Sequence, residues 1–352
     1  MVFNLATNGL EGRHTQLDGL RFLAVLIVFL HHAYLPIANL SYERGAGSGV
    51  ELFFVISGFL ITRILLKSQT GSLWNDLRTF YTRRALRIFP LYYLIITVMV
   101  ISGNLPMPLP PLFYFYVFNI AKATSNVDAG PLDPFWTLCV EEQFYLICPL
   151  LVWKTPRRML VATLATLILA SSVTTIFLEM HASQDETPRC LLICSAQFLL
   201  WGALAGYADL HWKRAIDDSL LFFGGLALLV LWYTIDAGGS SNLLLLKGGA
   251  MALIVFGLWN SKNRFLSGFF RWPPFAYIGL ISYGVYAYHE IVFVITINAM
   301  KTFPMLQGVN WQLLAFIFTI LLASLSWHMF EAPINRFKRY FPYAKPAQPQ
   351  EA

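Results

Sequence analysis

Apolar runs close to 20 residues long recur from one end of this chain to the other, and that recurrence constrains its fold more than any single residue. Wound as a helix rising about 1.5 Å per residue, such a run matches the ~30 Å hydrocarbon core of a bilayer. A helix also satisfies its own backbone hydrogen bonds, which lipid cannot do for it. Of the 352 residues, 57% are hydrophobic and 12% charged, about half the charge of an ordinary soluble domain. Almost nothing remains from which to build a soluble unit. The span criterion places ten helices at about 17 to 36, 49 to 66, 87 to 103, 135 to 153, 159 to 180, 189 to 209, 217 to 235, 242 to 259, 275 to 298 and 311 to 331. The expected fold class is all-α, a polytopic transmembrane helical bundle of about ten spans. Residues 1–340 are read as one membrane domain and residues 341–352 as a disordered cytoplasmic tail.

Basic residues in the short connections set the expected orientation. With the N-terminus in the cytoplasm, 18 of the 25 Lys and Arg residues fall on the cytoplasmic face. Arg44, Lys122, Arg189, Lys247 and Lys301 go to the other face, and Arg21 and Arg63 lie within or at the ends of spans. Both termini are therefore expected in the cytoplasm. The net charge of +6 is largely this topogenic bias, so no nucleic-acid partner is called for. The polar first sixteen residues lack a small-residue cleavage pattern, which predicts a retained first helix. FYFYVFNIA (residues 113–121) is too short to cross and reads as re-entrant or interfacial. The four cysteines lie in apolar segments and read as core thiols.

Against this apolar background, four polar groups stand out. In LDGLRFLAVLIVFLHH, eleven positions separate Arg21 from His32, which at 100° per residue puts both on one helix face about 16 Å apart. His31 is rotated away by about 100°, and Asp18, three residues before Arg21, is placed to pair with it. A cap for Asp18 and a core hydrogen bond for His32 are the plain alternatives; one polar stripe along a whole span argues for a pathway or reaction site. In FWTLCVEEQFYLICP, Glu141 shares a face with Tyr145. In ISYGVYAYHEIVF, Ser282, Tyr286 and His289 form an i, i+4, i+7 stripe. In FYTRRALRIFP, Arg83, Arg84 and Arg87, with Arg78 nearby, suit a multiply phosphorylated ligand as well as topogenic duty.

These segments, together with GVELFFVISGFLIT and in this order, resemble the acyltransferase-3 family of integral membrane acyltransferases over essentially the whole chain. The resemblance implies an O-acyltransferase that takes an acyl group, usually acetyl, from cytoplasmic acyl-CoA and delivers it to a hydroxyl, often on a glycan at the opposite face. By position, Arg21 and His32 correspond to the family's Arg and His pair, Arg84 and Arg87 to its cytoplasmic basic motif, Glu141 to its acid and His289 to its second histidine. Implied partners are acetyl-CoA or another acyl-CoA, a glycan or lipid-linked glycan, and membrane lipid; no metal is implied. Location in a cell membrane, the bacterial inner membrane by preference, follows, and a homo-oligomer is left open. Many members append an extracytoplasmic hydrolase-like domain, whereas this sequence stops soon after NRFKRYFPYAK, which puts glycan recognition on the membrane domain or on a separate protein.

Ester formation from a thioester needs a base for the acceptor hydroxyl. His32 is the candidate base or acyl carrier. Glu141 is favoured to orient it because Asp18 lies nearly three turns away. Asp18, Arg21, Ser282 and Tyr286 would shape the donor channel, and Arg78, Arg83, Arg84 and Arg87 would hold the CoA phosphates. The alternative from another class is a secondary transporter or proton-coupled exporter built on the same buried His, Glu and Arg. Against it stands the absence of inverted repeats and of matched broken helices in the sequence reading.

Overall fold

The computed structural model describes residues 14–33, 42–70, 72–125, 127–183, 187–212, 216–235, 243–303 and 309–343, with 42–46 described by backbone alone. Arg13, Lys213, Arg214, Lys345, positions 34–36 of the first expected span and most of the expected tail lie outside these residues. Helices occur at all ten expected positions, and no strand occurs among the described residues. In chain order they are α1 (Thr15–His32), α2 (Tyr42–Lys67), α3 (Leu73–Ile101), the short α4 (Leu109–Tyr114) and α5 (Phe118–Ser125), and α6 (Trp136–Lys154). There follow α7 (Arg157–His181), α8 (Leu192–His211), α9 (Asp218–Ile235), α10 (Leu244–Trp259), α11 (Arg264–Phe270), α12 (Pro273–Leu280), α13 (Ser282–Thr302), α14 (Trp311–Ser326) and α15 (Ala332–Asn335).

By length and hydropathy, six helices can cross a membrane among the described residues, or up to eight if two bent pairs each count as one span. The expected ten is thus not reached on that measure. α1 and α8 fall outside it because polar residues such as Asp18, Arg21 and Gln197 lower their mean hydropathy. The expected ninth span is broken: α12 and α13 meet at Ile281 with a bend of 74°. α10 and α11 are bent by 100°. Both breaks fall in consecutive segments between residues 244 and 302.

Close backbone approach sets the central packing. α2 runs along α8, where a Cβ on Gly58 would lie 1.9 Å from the Leu199 carbonyl oxygen and one on Gly202 would lie 2.0 Å from that of Val55. A Cβ on Gly279 of α12 would lie 1.7 Å from the Asp18 carbonyl oxygen of α1. Small residues of this kind let membrane helices touch backbone to backbone. The second contact seats the start of α1 against the broken span.

Two buried ion pairs join α2 to α8 and α10. Arg63 of α2 pairs with Asp209 of α8, and its guanidinium lies 4.4 Å from the centre of the Trp259 ring. Lys247, counted toward the outer face but inside the span expected at 242 to 259, lies buried within α10, paired with Glu51 of α2 and 4.3 Å from the Trp232 ring centre. A run of apolar neighbours pulled the lysine into the helix, and an acid on α2 balances its charge. Cys139, Cys148, Cys190 and Cys194 are all buried free thiols, as the sequence reading holds.

Candidate active site

α3 continues without a break through the FYTRRALR segment, so its arginines are distributed by helical rotation alone. Arg84 and Arg87, three positions apart, face inward together. With Arg21 of α1, Ser57 of α2, Glu141 of α6 and Tyr286 of α13 they line a cavity of about 130 Å³. Arg83, turned about 100° from Arg84, does not reach it. Its Nη1 donates to the carbonyls of Lys338 and Phe341, each at 2.8 Å, and its guanidinium covers the Tyr343 ring at 4.5 Å. Arg78 is exposed and also stands apart. The basic cluster read from the sequence therefore divides, with Arg21 joining Arg84 and Arg87.

Each cavity group is held in place. Arg21 Nη1 donates to Asp18 Oδ1 at 3.0 Å, the i, i+3 pair the sequence predicts, and Asp18 is buried. Arg87 Nη2 lies 3.4 Å from the Leu280 carbonyl, its guanidinium rests over Trp327, and Glu331 acts on it electrostatically. Arg84 lies 5.6 Å from the centre of the Tyr145 ring. Glu141 accepts from Ser57 Oγ at 2.9 Å and from Tyr145 Oη at 3.2 Å. Three guanidinium groups against Glu141 make a cavity suited to an anion, and guanidinium forks match phosphate oxygens. Ser282, the first residue of α13, also lines this cavity.

Behind Tyr286 lies a second group. His32 Nδ1 is 3.0 Å from the Val28 carbonyl oxygen, and His289 Nδ1 is 2.5 Å from that of Tyr286. A carbonyl only accepts, so the proton of each neutral ring belongs on Nδ1 and the lone pair on Nε2. His289 Nε2 is 3.4 Å from His32 Nδ1. Glu290 Oε1 lies 3.8 Å from His32 Nε2 and 3.9 Å from His289 Nε2. His289 is 2% exposed, while the His32 and Glu290 side chains are 27% and 23% exposed. One side of the cluster is open.

Among the described residues, the arginine cavity is lined by Tyr286 but not by His32, His289 or Glu290. The Tyr286 hydroxyl is engaged by the Pro134 carbonyl at 2.8 Å and Thr137 Oγ1 at 2.7 Å, and its ring stands 5.6 Å from that of His289. Tyr286 is thus the wall between the arginine cavity and the imidazoles. Glu141, favoured from the sequence as the partner of His32, sits on the arginine side. Glu290 stands beside His32 instead. The signal for Glu290 was in plain view, an acid directly after His289 in YHEIVF, but adjacent residues on a helix diverge by 100°, and only the α1–α13 crossing turns both toward His32. Glu331, which acts on Arg87, lies in none of the polar motifs that the sequence singles out.

The family model described as an acyltransferase domain, Acyl_transf_3, matches residues 14–328. The chain belongs to the acyltransferase-3 family. Its relatives include a putative peptidoglycan O-acetyltransferase of Bacillus subtilis, 29% identical over 91% of this chain and 54% of the relative. The peptidoglycan O-acetyltransferase OatA of Listeria monocytogenes is 28% identical over 92% of this chain and 56% of its own length. The O-acetyltransferase OatA of Staphylococcus aureus is 27% identical over 91% and 57%. This acyltransferase-family chain thus spans about half the length of the curated relatives it matches. No solved structure matches it. Family membership, with several long apolar helices, makes it a multi-pass cell-membrane protein.

Proposed function

We propose that this protein is a membrane O-acetyltransferase that takes an acetyl group from a cytoplasmic acyl-CoA and delivers it to a hydroxyl of a cell-envelope glycan, with peptidoglycan the favoured class. The observation that carries the reading is the convergence of Arg21, Arg84 and Arg87 on one cavity whose far wall, Tyr286, backs onto the His32–His289 pair. Support also comes from the family match and from the printed activities of the relatives. The transporter alternative has the buried His, Glu and Arg in its favour but not the family match.

In this reading the arginines hold the phosphates of the donor and the thioester arm passes Tyr286. His32 Nε2 takes the proton of the acceptor hydroxyl, whose oxygen attacks the thioester carbonyl. The C–S bond breaks, and the thiolate of CoA leaves with a proton returned from the imidazolium. A second route through the same nitrogen forms an acyl-histidine first, releasing CoA before the acceptor arrives. His289 positions His32 through the 3.4 Å contact, and the Glu290 carboxylate stabilises the imidazolium form. Both termini lie in the cytoplasm, so that the arginine cavity opens to the donor pool and His32 lies toward the outer leaflet. Residues 1–340 act as one catalytic unit.

The test is incubation of purified, detergent-solubilised protein with radiolabelled acetyl-CoA and glycan acceptors, comparing wild type with His32→Ala. Wild-type CoA release with label on the glycan, lost in the variant, is the expected result. Equal turnover by the variant defeats the role of His32. Substrate flux in proteoliposomes without acyl-CoA consumption would favour the transporter.

A further inference from the structure

The family resemblance implies no metal, yet the fold assembles a set of ligands that acyl transfer uses only in part. His32, His289 and Glu290 each offer one ligand atom, and these atoms all lie within 4.8 Å of one another. We propose that these three residues bind a divalent transition-metal ion of the zinc class, and that the bound ion takes the His32 lone pair and holds the enzyme inactive. The inference rests on the reading of His32 as the base.

Three features of the geometry support it. Both imidazoles direct Nδ1 to a backbone carbonyl, Val28 for His32 and Tyr286 for His289. That is the outer contact which fixes the tautomer of metal-ligating histidines and leaves Nε2 for the ion. The carboxylate is equidistant from the two Nε2 atoms, at 3.8 and 3.9 Å. Zinc bonds of about 2.0–2.1 Å in a tetrahedron set ligand atoms roughly 3.3–3.4 Å apart, so the two edges to the carboxylate need to close by about half an ångström each, and no pair of ligand atoms starts more than 4.8 Å apart. Finally, the ligand set is two neutral nitrogens and one carboxylate, with the open side at His32 and Glu290 leaving a fourth position for water.

Binding would give up little. The His32 Nδ1 to His289 Nε2 contact of 3.4 Å is long for a hydrogen bond, and the ion replaces it. In exchange, the lone pair that would receive the acceptor proton becomes a metal bond. Zinc is then expected to inhibit turnover, and a chelator to restore it.

The experiment is zinc binding to the tag-free, chelator-stripped protein in detergent, by titration calorimetry and metal analysis after gel filtration, with cobalt(II) as the spectroscopic probe. Neither donor nor acceptor is added, so the result stands whether or not the acyl-transfer reading survives. Wild type should retain one zinc per chain and give a visible cobalt spectrum. Glu290→Gln and His289→Ala, each checked for monodispersity and thermal unfolding, should weaken binding by more than the 10- to 100-fold typical of losing an outer contact. Absence of saturable binding, or binding undiminished in a folded Glu290→Gln protein, overturns the site. Stoichiometric zinc that leaves acetyl transfer untouched overturns the claim that the ion takes the His32 lone pair.

Discussion

His32 and His289 are 257 positions apart in the chain, yet His32 Nδ1 and His289 Nε2 lie 3.4 Å from one another where α1 crosses α13. Beside them stands Glu290, and on the far side of Tyr286 stands Glu141. The two acids therefore have different neighbours, and kinetics can tell them apart.

Glu290→Gln should lower kcat by about 10-fold or more while leaving the donor KM in place, since the carboxylate stands against the two imidazoles and does not line the arginine cavity among the described residues. Glu141→Gln should move the donor KM, because its carboxylate shares a cavity with Arg84 and Arg87. His32→Ala should cost about 10²–10⁴-fold in turnover, the usual worth of a positioned base. Steady-state kinetics on the three folded variants checks this; a donor KM effect of Glu290→Gln with kcat unchanged would reverse the assignment.

Arg84→Ala or Arg87→Ala should raise the donor KM by about 10-fold or more, as expected for loss of a charge-assisted hydrogen bond of about 1.5–3 kcal/mol. Arg78→Ala, on the exposed side of α3, should leave it unchanged. Arg83→Ala should chiefly loosen the segment around Lys338 and Phe341, which limited proteolysis would detect. A donor KM equally sensitive to all four would restore the undivided cluster.

The α2–α8 contact has no room for a side chain. Gly58→Leu should destabilise the protein by at least the 1–3 kcal/mol of ordinary overpacking, because the obstacle is the Leu199 carbonyl rather than a movable side chain. Gly224→Ala on α9 meets nothing within 4 Å and should be neutral or slightly stabilising. Thermal unfolding in detergent compares the two directly.

Lys247→Met leaves the Glu51 carboxylate buried without its cation, a loss of about 3–5 kcal/mol for a broken buried pair. The double variant Lys247→Met with Glu51→Leu should recover most of that stability. Unfolding midpoints for the full double-mutant cycle give the coupling, and additive losses would mean that the pair is not a unit.

Much of this architecture follows from the chain read alone. Apolar length placed a helix at every expected span, because a backbone in lipid has few other ways to satisfy its hydrogen bonds. Spacing within one helix was equally legible: Asp18 pairs with Arg21 at three residues, and Tyr145 donates to Glu141 at four. The motifs also pointed to the family that the comparison bears out.

What the tertiary structure decided was every relation between helices. Helical periodicity fixes the angle between residues of one helix, but says nothing about how far that helix is rotated or shifted against its neighbour. So the sequence paired His32 with Glu141, whereas the crossing of α1 and α13 brings Glu290. It treated four arginines as one cluster, whereas packing kept Arg84 and Arg87, added Arg21 and turned Arg83 to the C-terminal segment. It counted Lys247 toward the outer face, and only packing shows that Glu51 on another helix supplies the charge that lets it be buried. Local chemistry is written in the order of residues; which charges meet across a membrane bundle is set by backbone contacts such as Gly279 on Asp18, where two helices approach too closely for any side chain.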